Sequence, residues 1–201
     1  YTLSLSEGNS EGFVNSDVGQ DDSGITIGFD TPGLTDGVYG LLPNHRAHVL
    51  KLFGSYQLTE NLLVGTNYSL VSPKHYGCIG VHPISFGATG DAAALYGNSS
   101  FYCNLDNNVL TPRELTPRGS QFEGEWVQAL DVSFRYNLSD AVNLPGDLQL
   151  RADIFNVLNA EGVTQQWEFG EDGGGTVDPN YQDPLNYQQP RTVRFGFEWA
   201  F

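Results

Sequence analysis

The sequence predicts an all-β fold: a segment of an antiparallel transmembrane β-barrel, about six strands with three long extracellular loops. Three observations predict it. Apolar residues recur with period 2 nearly wherever they have a period at all. The connections between these alternating runs go long, short, long, short, long. Seven charged residues within the runs take one parity, the polar one, while carboxylates gather in the long connections.

Composition bounds the reading. The chain has 201 residues, with 9 Lys+Arg against 24 Asp+Glu and a formal net charge of −15. No Lys/Arg cluster exists, which excludes nucleic acid as a partner, since a phosphate backbone is held by clustered cations. The 24 Gly and 10 Pro suit turns and strands better than helical bundles. No run of 18 apolar residues provides a membrane-spanning helix, and no N-terminal signal pattern is present. Met is absent even at position 1, so the chain reads as processed or as a piece of something longer.

Six runs read as strands. Tyr1 to Ser6 places Tyr1, Leu3 and Leu5 on one face. About Arg46 to Leu58 places Leu50, Leu52, Tyr56 and Leu58 there. Leu62 to Val71 adds Leu62, Val64, Tyr68 and Leu70. Val127 to Leu138 adds Leu130, Val132, Phe134, Tyr136 and Leu138. Leu148 to about Phe155 adds Leu148, Leu150, Ala152 and Ile154. Thr192 to Phe201 ends the chain with Val193, Phe195, Phe197, Trp199 and Phe201. The opposite parity is polar and holds seven charged residues: Lys51, Asp131, Arg135, Arg151, Asp153, Arg194 and Glu198. Parity alone leaves open what the apolar face touches. A soluble sandwich turns it to a core and a membrane barrel turns it to lipid.

Connection lengths decide between these. Thr59-Glu60-Asn61 joins the second and third runs, and roughly Ser139 to Asp147, with a Pro145-Gly146 turn signal, joins the fourth and fifth. The others span about 38, 53 and 31 residues. Three such loops on one side of one sheet suit an outer-membrane barrel, with its short periplasmic turns and long extracellular loops. The first and third carry 13 of the 24 carboxylates and no cation. Tyr56, Tyr136, Trp199 and Phe201 near the short-turn ends, with Trp126 near the other, read as interfacial aromatic girdles. Inward Lys51, Asp131, Arg135, Arg151, Asp153, Arg194 and Glu198 then face a lumen, where they pair across strands, contact other parts of the protein or line a path. Six strands are too few to close a membrane barrel, and an open edge does not survive in lipid. The missing Met and the start inside an alternating run favour absence of the remaining strands over strands hidden in the loops.

Several constellations invite chemistry. Cys78 and Cys103 are the only cysteines and share the longest connection. A disulfide is the simplest reading, and a metal set of His75, Cys78 and His82, loosely spaced for zinc, is the alternative. Asp17, Asp21, Asp22, Asp30, Glu168, Glu171, Asp172, Asp178 and Asp183 form an oxygen-rich collection. It reads as a solvated acidic surface, with Ca²⁺ binding or bridging to lipopolysaccharide phosphates as alternatives; no EF-hand spacing is present. His45 and His48 lack a G-x-S-x-G partner, so catalysis is not expected. Gly170, Gly173, Gly174 and Gly175 match no phosphate loop and read as a flexible loop tip. No cofactor motif is found.

Asp153-Ile154-Phe155-Asn156-Val157-Leu158-Asn159 resembles a strand signature near the C-terminus of TonB-dependent receptors. Pro190 to Phe201 resembles their last strand, with alternating apolar residues and a terminal aromatic. Gly8-Asn9-Ser10-Glu11-Gly12, Leu42-Pro43-Asn44-His45-Arg46 and Leu50-Lys51-Leu52-Phe53-Gly54-Ser55-Tyr56 resemble the Oar-like subfamily. That family usually has an acidic residue where His45 stands, so no charge-based role carries over there. The resemblance covers nearly the whole chain. It implies a barrel of about 22 strands around a plug domain, of which residues 1–201 form the last six. It implies non-enzymatic, TonB-driven uptake through the outer membrane. The plug and the region that contacts TonB lie outside this sequence. Outer-membrane lipid and lipopolysaccharide are implied neighbours. Val193, Phe195, Phe197, Trp199 and Phe201 are implied as the signal read by the barrel assembly machinery. A small autonomous outer-membrane barrel (adhesin or barrel enzyme) and a secreted soluble β-sandwich are the alternatives.

Overall fold

Alternation dictates extended backbone, because successive side chains of a strand point to opposite faces. The computed structural model describes residues 1–10, 34–83, 99–106, 108, 111–139 and 146–200. Phe201, Pro145 and the loop carboxylates Asp17, Asp21, Asp22 and Asp30 lie outside the described residues. In chain order the strands are β1 (Thr2–Leu3), β2 (Glu7–Gly8), β3 (Gly40–Leu41), β4 (His48–Thr59) and β5 (Leu62–Val71). There follow β6 (His75–Tyr76), β7 (Tyr102–Cys103), β8 (Glu114–Leu115), β9 (Phe122–Glu123) and β10 (Val127–Asn137). The last are β11 (Asp147–Phe155), β12 (Val163–Gln166), β13 (Pro184–Tyr187) and β14 (Thr192–Ala200).

One six-stranded antiparallel sheet runs β1-β4-β5-β10-β11-β14, so each strand lies beside its sequence neighbour among the long ones. The register keeps the two parities apart. Tyr56 faces Val64, Val64 faces Phe134, Phe134 faces Ala152 and Ala152 faces Phe195. On the other parity Lys51 faces Ser69, Ser133 faces Asp153, and Asp153 faces Arg194. A one-residue slip would invert every strand, so the alternation pins the pairing. At the short β4–β5 turn, Thr59 Oγ1 accepts from the Leu62 N–H at 3.1 Å and Gln57 Nε2 donates to Thr59 C=O at 2.7 Å.

The sheet is open, with β1 and β14 at its edges. Among the described residues nothing covers its apolar face. Phe195 is 80% exposed, Phe197 76% and Tyr56 71%. A sandwich would bury these rings under a second sheet; among the described residues the other sheets are two-stranded.

The first strand is shorter than expected. Pairing stops after Thr2↔Val49 and Leu3↔His48. The chain stays alongside residues 45–47 through single bonds instead: Ser4 N–H to Ala47 C=O at 3.0 Å and Ser6 N–H to His45 Nδ1 at 3.1 Å. A side chain thus replaces the backbone ladder, and β2 leaves the sheet to pair with β3.

The long connections contain the remaining strand pairs, β2–β3, β6–β9, β7–β8 and β12–β13. They pack together into a cap beyond one end of the sheet. Its centre is apolar: Val38, Ile79 and Phe101 are buried together with Phe169 packed against them, and Leu34 is buried as well. Ile79 bridges Phe169 and Gly80 bridges Ser100, so the second and third connections share backbone pairing.

Candidate functional site

The six-stranded sheet, the wall of this molecule, offers one candidate site and the cap another. On the polar face, Lys51, Asp131, Arg135, Arg151, Asp153, Arg194 and Glu198 share one parity of β4, β10, β11 and β14. Asp153 lies at the centre and is buried. Its Oδ2 meets Arg151 Nε and Arg194 Nη2, each at 2.8 Å. Arg194 also lies 5.3 Å from the Phe155 ring centroid, a cation–π contact that holds the guanidinium over the face. Asp131 is tied differently. Its carboxylate accepts the Asn156 N–H at 2.9 Å and the Asn67 amide at 3.4 Å. A groove of about 600 Å³ runs past Asp131 and Asp153, floored by Gly65, Ser55 and Ser133 and edged by Phe53 and Phe155.

Asn156 explains why Asp153 to Asn159 stands out in the sequence. It sits at φ 49°, in the left-handed region that Asn tolerates better than most residues. Its Nδ2 donates to the carbonyls of Ala160 and Gln189, both at 2.9 Å, and its Oδ1 accepts from Ala160 N–H at 3.0 Å. Asn159 follows at φ 48° and its Oδ1 accepts from Arg191 N–H at 3.1 Å. Two asparagines thus turn the chain out of β11 and tie both ends of the third connection together.

In the cap, Cys78 and Cys103 are bonded, with Cα atoms 5.9 Å apart. The cysteine is therefore occupied, and among the described residues no His/Cys/Asp/Glu group with metal-holding geometry is found. The flexible-tip reading of the glycines needs correction at Gly170. A Cβ there would collide with both sulfurs, so Gly170 is a contact of the disulfide. Gly174 does lie at a turn, where Asp172 Oδ1 accepts its N–H at 2.9 Å.

The solvated reading of the acidic collection also fails at two positions. Glu171 is fully buried and Glu168 nearly so. Glu171 accepts from Val81 N–H at 2.9 Å and from Arg113 Nε at 3.0 Å, and Arg113 Nη2 donates to Gly175 C=O at 3.1 Å. Glu168 Oε1 accepts from Gly77 N–H. Each carboxylate thus crosses from the third connection to the second. The buried Glu171 carboxylate survives because Oε2 takes two hydrogen bonds and Arg113 meets its charge. Tyr181 adds a third crossing: its O–H donates to Gly77 C=O at 3.2 Å, and burial pushes its phenol up to about 12.

Where the connections leave the sheet, rings form a collar. Tyr1 O–H lies 2.6 Å from His48 Nδ1, and His48 stacks on Trp126 with centroids 6.2 Å apart. His45 is buried, 5.6 Å between centroids from His75, which lies 3.7 Å from Glu123. Burial, with His75 second, lowers the His45 pKa. Both His45 and His48 are engaged in these structural contacts, and neither ring meets a serine hydroxyl.

Sequence reasoning missed the cap as a unit, and with it Arg113; it named Glu168 and Glu171 but set them in solvent. The only local signals were the two cysteines and glycines such as Gly80 and Gly170.

No family model and no solved structure matches this chain. Among curated proteins, it is 26% identical over 240 aligned positions to the TonB-dependent transporter Oar of Myxococcus xanthus. The alignment covers 100% of this chain and 20% of that transporter, so the chain spans about a fifth of the relative's length.

Proposed function

We propose that the chain is the C-terminal part of the β-barrel of a TonB-dependent outer-membrane receptor, with the plug and earlier strands supplied by the rest of the protein. The observation that carries this reading is the sheet. Six strands follow sequence order, with one polar face, one apolar face uncovered among the described residues, and the described parts of the three long connections at one end. A transmembrane barrel has that form. The whole-chain likeness to a TonB-dependent transporter supports the transport context.

In this reading Leu52, Tyr56, Phe134, Phe195 and Phe197 face lipid. Lys51, Asp131, Arg135, Arg151, Asp153, Arg194 and Glu198 face the lumen and the plug, where charge carries no lipid penalty. The cap is extracellular, next to lipopolysaccharide, in an oxidising environment that keeps Cys78–Cys103 bonded. TonB engages a region outside this chain. The role is binding and passage of a substrate without chemistry on it.

The test is fractionation of cells expressing the full-length protein, with heat-modifiability read by gel. Recovery in the outer membrane, with migration that shifts on boiling, is expected. Recovery as a soluble protein in periplasm or medium would overturn the proposal.

A further inference from the structure

The polar face is one anion short. Arg135 and Arg151 stand directly opposite each other in the β10–β11 register, and Gly196 follows Arg151 across the β11–β14 ladder. Like charges placed opposite one another in a sheet repel. A guanidinium does not escape by losing its proton. The wall supplies one paired carboxylate, Asp153, and both Arg151 and Arg194 already share its Oδ2 at 2.8 Å. Glu198 faces Gln149 one row away and forms no ion pair among the described residues. Arg135 likewise has none there. Three guanidinium groups therefore face two carboxylates, Asp153 already shared and Glu198 unpaired, which leaves one cation in excess.

Room exists for the missing charge. Nothing lies within 4 Å of the point where a Cβ of Gly196 would stand. A depression of about 290 Å³ opens there, lined by Arg135, Arg151 and Arg194 and also by the carboxylates of Asp153 and Glu198. In a chain of net charge −15 this is a local reversal of sign.

We infer that this depression is an oxyanion seat, in which Arg135 and the outer edge of Arg151 take the carboxylate or phosphate group of a diffusible solute. Planar N–H forks match such groups with paired, charge-assisted hydrogen bonds. The inference rests on the barrel reading for its meaning: with the polar face lining a lumen, the seat names oxyanion-bearing compounds as the class the receptor handles.

The test uses the full-length protein in outer membranes and inorganic phosphate as probe. Heat-modifiability is scored first and judges the barrel reading by itself. Arginine modification by phenylglyoxal is then followed by peptide mass spectrometry, in phosphate and in chloride at equal ionic strength. Phosphate is expected to slow modification of Arg135 by at least about threefold, leaving exposed Arg191 unchanged. Arg135→Gln is expected to abolish the phosphate effect at Arg151 while heat-modifiability persists. Equal Arg135 rates in the two salts would overturn the seat, whatever the gel shows. So would an Arg135 that resists modification before phosphate is added, because a protein group would then already fill the position.

Discussion

Replacing Asn156 tests whether the turn out of β11 is held by its side chain. Asn156→Ala removes three hydrogen bonds, at 2.9, 2.9 and 3.0 Å, from a site where the residue is 4% exposed. At about 1 kcal/mol each they contribute about 3 kcal/mol. The alanine must also hold φ 49°, which adds about 1 kcal/mol. Asn156→Gly removes the same bonds without that strain. Asn156→Asp keeps the bond from Ala160 N–H but sets a carboxylate against the carbonyls of Ala160 and Gln189, so it should be no better than alanine. Local opening is read by hydrogen exchange in the refolded full-length protein. The reporters are Val157 N–H, bonded to Leu130 C=O at 2.7 Å, and Gln188 N–H, bonded to Gly162 C=O at 2.9 Å. Both survive the substitution. Asn156→Gly, at about 3 kcal/mol, should speed exchange by about 150-fold, and Asn156→Ala, at about 4 kcal/mol, by about fivefold more. Unchanged exchange at both reporters, or alanine more protected than glycine, would refute the reasoning.

Four further outcomes are expected. Glu171→Ala leaves Arg113 buried without its carboxylate and should destabilise the cap by about 3–5 kcal/mol, seen as protease cleavage within residues 72–126 on intact cells; adding Arg113→Met should restore much of the resistance. Cys78→Ser with Cys103→Ser frees a loop of sequence separation 25 and should weaken the cap by roughly 3 kcal/mol in the same assay, without changing heat-modifiability. His45 has a folded-state pKa below its ordinary value, so its contribution is full above about pH 6.5 and is lost as pH falls through the lowered value; protease resistance of the first connection should drop on acidification, and His45→Gln, whose amide oxygen accepts the same Ser6 N–H without titrating, should flatten that drop. Deleting Phe201 should sharply lower the outer-membrane level while Phe53→Ala does far less, although one ring accounts for only about 1.5–3 kcal/mol of burial; equal levels for the deletion and wild type would remove the assembly signal.

The sheet was legible because its information is local. Leu62 to Val71 was expected and β5 spans Leu62–Val71. Val127 to Leu138 was expected and β10 spans Val127–Asn137. Period 2 carries the strand, the face and, through the two short turns, the neighbour. The first strand was overextended because Ser4 and Ser6 continue the alternation while their partners change to single bonds at residues 45–47. The cap was not legible because its contacts join residues far apart in sequence. Ile79 meets Phe169, and Arg113 meets Glu171, with no periodicity to mark either pair. Composition misled at Glu168 and Glu171, because a count of carboxylates records charge and says nothing of burial.

Wall and cap are stabilised by different means, and this bears on how a variant must be read. The wall has a backbone ladder along its five long strands but no core of its own; its rings at Tyr56, Phe195 and Phe197 gain burial only from what surrounds the sheet. The cap carries its own apolar centre, a disulfide and a buried ion pair. Among the described residues the two meet at points that include Asn156 N–H on Asp131, Val157 N–H on Leu130, Gln188 Nε2 on Gln128 C=O, the paired bonds of Ser72 and His48, and the collar of Tyr1, His48 and Trp126. A cap lesion should therefore spare insertion and assembly, while a wall lesion should act before any cap is displayed. A substitution at a meeting point, above all Asp131 or Asn156, should leave both parts folded and change how one is held on the other. Asp131→Asn is the milder of these. It keeps an oxygen for the Asn156 N–H and loses the charge, so it should loosen the root of the third connection less than Asn156→Ala does, with the order read at Val157 and Gln188.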